Sequence, residues 1–375
     1  MSRPVAFILT HDEPGGARTL WQQLAASFLE RGVPVEYVAL YPKDKPGAGH
    51  PWITLLSSPL RIWTFPVAIL TLARHLRHLR ASATISALPA ANIISSLAGW
   101  IAGVDLRITS HHSPVQTHSP LLAKIDRLVA TSPVTSRIVC VSQAVRSSLE
   151  DYPSAYLNKI AVIRNALAPL VALKIQKLAR HRSVVPPERP AIAVAAGRLA
   201  EQKNYPTLLR ALSKTRSVQL RIIGEGSDRP MLEAMVRDLG ITDRVSFFGL
   251  RTHDQTLEIM AECDIFVQPS LYEGHSIALL EAAALGLPLI VSDIPTQTEA
   301  LIRRDGTVCG IAVGVMDDEA LARALDQVAK DPTYLAVMSE QSLSIAAEFD
   351  FSHVVDGYHA LIAAAGSDTS RKEAP

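Results

Sequence analysis

The sequence predicts an α/β protein with two doubly wound parallel-sheet units, and three observations support that prediction. The chain has 375 residues, a length typical of two domains. Hydrophobic residues make up 48% and charged residues 19% of it, so there is enough apolar material for two buried cores. Short β-branched runs alternate with amphipathic stretches, a pattern typical of parallel strands covered by helices.

Strand-like runs occur in both halves of the chain. Those of the first half are VAFILT, VEYVAL, ATISAL, LRITS, RIVCVS and IAVIRN. Those of the second half are AIAVAAG, LRIIGEG, VSFFG, IFVQPS, LPLIVSD and CGIAVG. Helical patterns such as LWQQLAASFLERG and PMLEAMVRDLG lie between them and end in glycine. We therefore expect one parallel sheet in each half.

The stretch LAPLVALKIQKLARHRSVVPPERP lacks strand character and ends in a proline cluster, which indicates a domain boundary. The segment FDFSHVVDGYHALIAAA has a helical pattern, and SDTSRKEAP after it is typical of a frayed tail. The predicted divisions are a first domain over 1–168, a linker over 169–189, a second domain over 190–350, a helix over 351–366 and a tail over 367–375.

A membrane span is the alternative for residues 81–104, which carry no charge. This stretch contains Pro89, Asn92 and several hydroxyl side chains, so we interpret it as a strand over 83–88, a proline turn and a buried helix over 91–102. The start, MSRPVAFILTHDEPGG, indicates a strand and a glycine turn rather than a signal peptide. Three cysteines in apolar runs indicate buried thiols in a reducing compartment, so we expect a cytoplasmic protein.

The net charge of +1 conceals an uneven distribution along the chain. Residues 1–165 hold 16 basic and 9 acidic side chains, and residues 166–189 hold 5 and 1. Residues 190–375 hold 16 basic and 26 acidic side chains. The overall balance gives no sign of a nucleic-acid-binding protein, whereas the split is expected of two domains that face different partners.

Gly15 and Gly16 follow the first strand and precede a helix, a junction where backbone N–H groups and a helix N-terminus can face an anion. A tight turn without a ligand explains them equally well. Gly224 and Gly226 follow another strand, but neither pair completes a G-x-G-x-x-G motif. A nicotinamide-dependent oxidoreductase is therefore disfavoured.

Arg198 and Lys203 stand just beyond the carboxyl end of a buried strand, where doubly wound sheets bind ligands. Two cations there suit a ligand that bears phosphate, although two solvated charges on a loop are the alternative.

Glu273 lies in a glycine-containing turn, and Glu281 lies in the apolar helix IALLEAAALG. A buried carboxylate needs a partner, and a ribose diol would provide one. A hydrolase acid–base pair is disfavoured, because eight helical residues span about 12 Å, beyond the roughly 5–9.5 Å such pairs use.

These residues resemble those of a known enzyme family. GRLAEQKN, RIIGEGSDRPMLEAMVRDLGITDRVSFFG and above all EGHSIALLE are similar to the nucleotide-sugar-binding domain of family-4 retaining glycosyltransferases. The resemblance is strong over residues 190–350 and looser, but in the same order, in the first half: the glycine turn, the histidines after LRITS, VSQAV and VIRNA. It implies the GT-B architecture, with two Rossmann-like domains facing each other across a cleft and a C-terminal helix crossing back to the first domain.

The resemblance also implies catalytic roles. Arg198 and Lys203 would hold the donor diphosphate and stabilise the charge that develops as it leaves. Glu273 would face the transferred sugar. His111 would contact the sugar near the reacting carbon, with His112 beside it as the alternative and a purely structural histidine as the other interpretation of either ring.

Further residues would bind the nucleotide sugar. Glu281 would bind the ribose and Glu225 would lie near the base. The phosphates and the sugar would also be approached by Gly15, Gly16, Gly274, His275, Ser276 and Ile277. Two positions depart from the family pattern: Ser276 replaces a glycine beside the sugar pocket, and Ala166 replaces a glycine on the hinge side.

The implied reaction transfers a hexose-type sugar from a nucleotide-diphosphate sugar to a polysaccharide, an oligosaccharide or a lipid-linked acceptor, with retained anomeric configuration. The sequence has no D-x-D pair, and cationic side chains and helix dipoles can supply the positive charge, so we expect neither a metal nor another cofactor. The alternatives are a non-catalytic glycosyltransferase-like partner subunit and a nucleotide-sugar epimerase on the same architecture.

The basic first half contains LRIWTFPVAILTLARHLRHLR, in which basic, aromatic and aliphatic side chains share one predicted helix. Such a helix suits the surface of an anionic membrane, and an ordinary amphipathic helix with a solvated basic face is the alternative. We expect peripheral contact with the inner face of the plasma membrane.

Overall fold

The computed structural model describes residues 3–12, 16–43, 52–180 and 189–370. The chain divides into two compact units. The first consists of Met1–Asn165 together with Phe351–Pro375, and the second of Ala166–Asp350. Each unit is built on its own parallel sheet.

Seven parallel strands form the sheet of the first unit, in the order β3-β2-β1-β4-β5-β6-β7. They are β1 (Val5–His11), β2 (Val35–Tyr41), β3 (Trp52–Thr54), β4 (Ala83–Ala87), β5 (Leu106–His111), β6 (Arg137–Cys140) and β7 (Ile160–Val162). The helices between them are α1 (Gly16–Glu30), α2 (Phe65–Leu79), α3 (Pro89–Ala102), α4 (Pro120–Thr131), α5 (Gln143–Ser147) and α6 (Ser154–Leu157). Two short 3-10 turns cover Ile62–Thr64 and Val115–Thr117.

The first five residues of β1 are all buried, as expected of a central parallel strand covered by helices on both faces. Phe7 of β1 makes edge-to-face contacts with Trp21 and Phe28 of α1, at ring-centroid distances of 6.0 and 5.7 Å. These aromatic contacts fix α1 against one face of the sheet.

Six parallel strands form the sheet of the second unit, in the order β10-β9-β8-β11-β12-β13. They are β8 (Ala191–Ala196), β9 (Val218–Ile223), β10 (Val245–Gly249), β11 (Ile265–Gln268), β12 (Leu289–Ser292) and β13 (Ile311–Val313). The helices of this unit are α7 (Pro169–Ala179), α8 (Tyr205–Lys214), α9 (Arg229–Asp238), α10 (His253–Ala261), α11 (Ile277–Ala284), α12 (Pro295–Leu301), α13 (Asp318–Lys330) and α14 (Pro332–Ala346), with a 3-10 turn at Glu201–Lys203.

The expected linker over 169–189 is wrong in its first part, because residues Pro169–Ala179 form α7 within the second unit. Val171, Ile175 and Leu178 recur at helical spacing and pack on the core of this unit, where Ile175 is 1% exposed. The first unit also ends at Asn165 rather than at 168.

The final helix, α15 (Phe351–Ser370), is longer than the expected 351–366 and belongs to the first unit. It packs against α1, where the ring of His359 stacks on Phe28 at 4.2 Å and Tyr358 meets Trp21 edge-on at 6.0 Å. An ion pair of 2.8 Å joins Arg31 to Asp356 on the same surface.

Residues 81–104 form β4, a proline-started helix α3 and the turns around them. Within the described ranges, we find no helix that has both the length and the apolarity needed to cross a membrane.

Both sheets reverse their strand order once, between β1 and β4 and between β8 and β11. In doubly wound sheets, ligands bind beyond the carboxyl ends of the strands at such a reversal. In the second unit these are the ends of β8 and β11. We therefore expect a ligand site among the residues that follow these two strands.

Candidate functional site

Two loops meet beyond the ends of β8 and β11. The amide N–H of Leu271 donates to the carbonyl of Gln202 over 2.8 Å, and the side chain of Gln202 donates back to Tyr272. Asn204, which adopts a left-handed conformation (φ +50°), donates to the carbonyl of Pro269 over 3.0 Å. These bonds hold the loop that contains Lys203 beside the loop that contains Glu273.

The carboxylate of Glu273 lies at the centre of a compact polar cluster. Its Oε1 accepts hydrogen bonds from Nζ of Lys203 at 2.6 Å, from Oγ of Ser270 at 2.7 Å and from Nε2 of Gln268 at 2.9 Å. Glu273 is 7% exposed. A small pocket beside the cluster is lined in part by Lys203, Gln268 and Ser270. Three donors on one oxygen fix the carboxylate firmly, so it can hold a defined position against a ligand.

The cluster continues to the start of α11. Nε2 of Gln268 also donates to Oγ of Ser276 over 3.0 Å, and Ser276 caps α11 by accepting from the amide of Leu279. Gly274 and His275 are buried just before the cap, and Ile277 is the first residue of the helix. The serine that departs from the family pattern therefore supplies side-chain hydrogen bonds to the start of α11 that a glycine could not supply.

Arg198 and Lys203 differ in their surroundings. Arg198 is exposed on the loop after β8, whereas Lys203 is half-buried in its ion pair with Glu273. Tyr205, at the start of α8, donates to the carbonyl of Gly197, and burial together with nearby Glu273 raises its pKa. The two cations predicted from the sequence therefore flank the end of β8, and Arg198 is the more exposed of the two.

Gly224 and Gly226 have a packing role. A Cβ at Gly224 would lie 2.0 Å from the carbonyl oxygen of Gly197, and one at Gly226 would lie 2.1 Å from that of Leu199. The amide of Leu199 donates to the carbonyl of Glu225 over 3.0 Å. The two glycines therefore allow the loop after β9 to pack directly on the loop that contains Arg198.

Glu225, which the resemblance puts near the base, forms an ion pair with Arg229 one helical turn later. Arg229 also binds Glu233 over 2.8 Å and lies over the ring of Phe247 at 5.2 Å. Glu225 is thus held at the edge of the same loop rather than inside the Glu273 cluster.

Glu281 is buried in α11 with its side chain 5% exposed. Its Oε1 lies 2.5 Å from Nε2 of His253, the first residue of α10. The hydrogen bond to Glu281 raises the pKa of His253 above its usual value. The partner that a carboxylate in an apolar helix requires is thus a histidine in this structure.

In the first unit, His111 ends β5 and is 2% exposed. Its Nε2 lies 2.9 Å from the hydroxyl of Tyr156, which donates to Oδ2 of Asp126 over 2.8 Å. All three residues are buried. The ring of His118 stacks on that of His111, with 5.8 Å between centroids. His111 therefore takes part, through Nε2, in a buried polar chain.

His112 is half-buried, and its contacts differ from those of His111. Its Nε2 lies 3.0 Å from Oγ of Ser110, and its ring meets Trp21 edge-on at 5.4 Å. Burial, with a contribution from His111, lowers the pKa of His112 and of His118 to about 4. Both rings are therefore neutral near pH 7.

The predicted glycine turn is described only in part. Gly16 is the first residue of α1, whereas Gly15 lies outside the described residues. Asp12, before the turn, is buried, and its Oδ1 accepts from the amide of Lys43 over 2.8 Å.

The structure brings Lys203, Glu273 and the start of α11 together. Glu225 is paired with Arg229 and Glu281 with His253, outside that cluster. Sequence reasoning missed Gln268, Ser270, His253 and Tyr156. Gln268 and Ser270 gave one signal, namely polar residues at the end of an apolar strand in IFVQPS. Across the described part of the chain, His, Cys, Asp and Glu side chains form no group of three that could hold a metal ion.

Two family models match the chain. The model described as "Glycosyltransferase Family 4" matches residues 14–169, and that described as "Glycosyl transferases group 1" matches residues 176–344. The match boundary falls close to the division between the two units.

Curated proteins and solved structures resemble the chain over longer stretches. The lipopolysaccharide core biosynthesis glycosyltransferase LpsE of Rhizobium meliloti is 29% identical over 232 residues, which are 61% of this chain and 64% of that protein. A D-inositol 3-phosphate glycosyltransferase of Stackebrandtia nassauensis is 28% identical over 309 residues, 74% of this chain and 67% of that protein. The chain thus spans about two thirds of the length of these two relatives. HepE of Anabaena, crystallised with UDP and glucose, is 17% identical with a TM-score of 0.80 over 96% of this chain and 100% of that one.

Proposed function

The chain belongs to glycosyltransferase family 4 and has the GT-B fold, and from that premise we propose that it transfers a hexose-type sugar from a nucleotide-diphosphate sugar. The acceptor in this proposal is a polysaccharide, an oligosaccharide or a lipid-linked saccharide. The observation that supports the proposal best is the Lys203–Glu273 cluster at the strand reversal of the second sheet.

Arg198 and Lys203 serve as the cations for the donor diphosphate. Lys203 has three N–H donors and uses one on Glu273, so it can also bind a phosphate oxygen. Arg198 is exposed beside it and can reach a second phosphate group. As the bond to the sugar breaks, negative charge grows on the phosphate oxygen, and fixed cations stabilise it most at that moment.

Glu273 faces the transferred sugar. Its hydrogen bonds from Gln268 and Ser270 keep it in place when Lys203 turns towards a phosphate. Its second carboxylate oxygen can then accept hydrogen bonds from sugar hydroxyl groups, while Gly274, His275 and Ser276 approach the phosphate at the start of α11. The cluster thus positions the sugar and its leaving group together.

Glu281 binds the ribose hydroxyls, and Glu225 lies near the base. In the first unit, His111 contacts the sugar and Gly16 approaches the phosphates. The ring of His111 is almost buried, so only a ligand that packs directly on the end of β5 can reach it. The His111→Asn variant tests this part of the proposal: we expect a loss of kcat with little change in nucleotide affinity.

An anionic membrane surface is the proposed location of the acceptor. Four apolar side chains in the 3-10 turn before α2 and in its first turns are exposed by 44, 69, 58 and 49%, namely Ile62, Trp63, Val67 and Leu70. The side chain of Arg61 lies over the ring of Trp63 at 5.2 Å. Apolar side chains bordered by arginine fit a surface of anionic headgroups over acyl chains. We propose that the enzyme is cytoplasmic and acts at the inner face of the plasma membrane.

The reaction proceeds with retention and without a metal in this proposal. Retention is tested by NMR of the purified product, in which the anomeric configuration of the new glycosidic bond is compared with that of the donor sugar. Metal independence is tested by adding a chelator: we expect the rate to stay within about twofold, because the two cationic side chains supply the positive charge. An inverted product or a lost rate after chelation contradicts the respective half.

The donor is tested by thermal unfolding with UDP, GDP and ADP and with the corresponding nucleotide sugars. A ligand that binds the folded state raises its stability by about 2.7 kcal/mol at a hundred times its Kd. We expect one nucleoside diphosphate to raise the Tm in the wild type and to do so much less in Arg198→Ala. If none of them shifts the Tm, the donor proposal fails.

A further inference from the structure

The carboxylate of Glu281 is paired with a residue on another helix. Oε1 of Glu281 and Nε2 of His253 are 2.5 Å apart, and the side chains are 5% and 40% exposed. Among the described residues, no other hydrogen bond to the side chain of Glu281 is found. One end of the pair is therefore fixed in the core of the second unit, and the other reaches the surface.

The position of His253 is set by the cap of α10. Oγ1 of Thr252 accepts from the amide of Gln255 over 3.2 Å, and the side chain of Gln255 accepts from the amide of Thr252 over 3.1 Å. This reciprocal cap fixes the first turn of the helix, and hence the residue directly after Thr252. His253 is thus held towards Glu281 by local structure and not by the pair alone.

The charges around His253 favour its protonated form. The hydrogen bond to Glu281 is the main cause that raises its pKa, with Asp254 contributing, whereas burial and Lys174 of α7 act in the opposite direction. Lys174 is itself engaged by Asp254 at 2.9 Å and by Glu258 at 3.4 Å. The pair therefore compensates the charge of a carboxylate that would otherwise be buried in an apolar helix.

We propose that His253 is a positioning residue for ribose recognition: by occupying Oε1 of Glu281, it orients the carboxylate so that Oε2 accepts hydrogen bonds from the ribose hydroxyls. This inference rests on the proposed function, in which Glu281 binds the ribose. An ionised carboxylate has about four acceptor sites on two oxygens, so a donor on one oxygen leaves the other able to accept. Binding to a fixed carboxylate also costs less conformational entropy than binding to a rotating one.

The inference is tested by the affinity for UDP relative to 2′,3′-dideoxy-UDP, measured by calorimetry on the whole protein. GDP or ADP and its dideoxy form replace them if the wild type binds that base more tightly. The dideoxy compound keeps the base and the phosphates but lacks both hydroxyls, so the ratio of the two affinities reports on the ribose alone. A hydrogen bond to a charged group is worth about tenfold or more in affinity, which is the ratio we expect for the wild type.

We expect His253→Ala to lower this ratio at least about threefold, mainly by weakening UDP, and to raise KM for the donor with little change in kcat. His353→Ala, which removes an exposed histidine of α15, should leave the ratio unchanged. In Glu281→Gln, the further change His253→Ala should have almost no additional effect, since residues that act through one another are not additive.

Two results separate the inference from the proposal beneath it. If the wild type binds UDP and GDP and ADP no better than their dideoxy forms, Glu281 does not bind ribose and the proposed role of that residue fails. If the wild type discriminates and His253→Ala discriminates equally well, the pair merely joins α10 to α11 and the inference is wrong. A merely structural role would change the Tm without changing the ratio, so both readouts are recorded for each variant.

Discussion

Gly226 has no room for a side chain, because a Cβ there would lie 2.1 Å from the carbonyl oxygen of Leu199. The clash is with backbone, so the two loops must separate to accommodate a methyl group. We expect Gly226→Ala to reduce the free energy of unfolding by about 2–3 kcal/mol, measured by urea denaturation.

Gly314→Ala is the matched control, because the nearest atom to a Cβ there is the side-chain Cβ of Asp317 at 3.3 Å. We expect it to cost less than about 1 kcal/mol, since a contact at 3.3 Å is relieved by a shift of only a few tenths of an ångström. Equal losses in the two variants would contradict the packing account.

Tyr156 links His111 and Asp126 through one hydroxyl group. Tyr156→Phe leaves two buried polar side chains without that partner, so we expect a loss of about 1–3 kcal/mol in the free energy of unfolding. Tyr152→Phe is the control, because the ring of Tyr152 packs against that of Tyr156 with 4.8 Å between centroids. We expect this variant to lose less free energy of unfolding. If Tyr156→Phe is as stable as Tyr152→Phe, the buried hydrogen bonds of Tyr156 do not stabilise the fold.

Acidification should destabilise the protein through two histidines. The folded pKa of His112 and His118 is about 4, below the ordinary value of 6.5, so the unfolded state binds more protons between these values. Stability is therefore lost as the pH falls through 6.5 towards 4, by about 2 kcal/mol for each group between pH 8 and pH 5. The raised pKa of His253 acts in the opposite direction, since that group adds stability as the pH falls.

Urea denaturation at pH 8 and pH 5 measures this difference. We expect His118→Gln to show a smaller loss between the two pH values than the wild type, and His253→Ala to show a larger one. An unchanged loss in His118→Gln would mean that this ring does not stay neutral in the folded protein.

The positions of residues could be predicted where the strand pattern itself marks them. Arg198, Lys203 and Glu273 follow buried strands, and parallel strands bring their carboxyl ends to one edge. The partners Gln268, His253 and Tyr156 depend on how loops and helices pack, and spacing along the chain does not report that. The position of Glu281 was predicted, but its histidine partner on α10 was not.

Elements could be predicted well where apolar runs are short and bounded by turn residues. The strand VAFILT corresponds to β1, and ATISAL followed by a proline turn corresponds to β4 and α3. Helix α7 was missed, because its apolar residues are followed by a proline cluster that resembled a linker. Its assignment required the core of the second unit, on which Ile175 packs.

Helix α2 and the 3-10 turn before it are expected to bind an anionic membrane surface. We expect the protein to sediment at low salt with vesicles that contain roughly a third anionic phosphatidylglycerol, and to be released by salt, because charge attraction falls within a Debye length. Trp63→Ala should weaken binding about tenfold, as expected when a large side chain no longer enters the headgroup region.

Trp100→Ala is the control for that experiment, since Trp100 is 58% exposed at the end of α3. The carbonyl of the next residue, Ile101, accepts a hydrogen bond from Arg77 in the last turn of α2, at the opposite end from Trp63. It should bind vesicles as the wild type does. A wild type that fails to sediment, or two variants that bind equally, would leave an ordinary amphipathic helix as the explanation of the α2 surface.

At the scale of the whole chain, the uneven charge distribution and the two units correspond. The basic residues 1–165 fall in the first unit, with the exposed surface of α2, whereas the second unit is acidic and carries Arg198 and Lys203 locally at the end of β8. The two-sheet architecture could be predicted from strand and helix alternation alone, and the reaction came from the resemblance of a few loops. We propose above all that Lys203 stabilises the departing diphosphate.

The most direct measurement of that claim is the rate of nucleoside diphosphate release from the donor sugar at saturating donor, compared between Lys203→Ala and Lys214→Ala. Both lysines are paired with carboxylates, Lys214 with Asp318 at 2.7 Å on the surface. We expect Lys203→Ala to lose about 100-fold or more in kcat while remaining folded by circular dichroism, and Lys214→Ala to stay within about twofold. A folded Lys203→Ala protein that releases the diphosphate at the rate of Lys214→Ala would contradict the account.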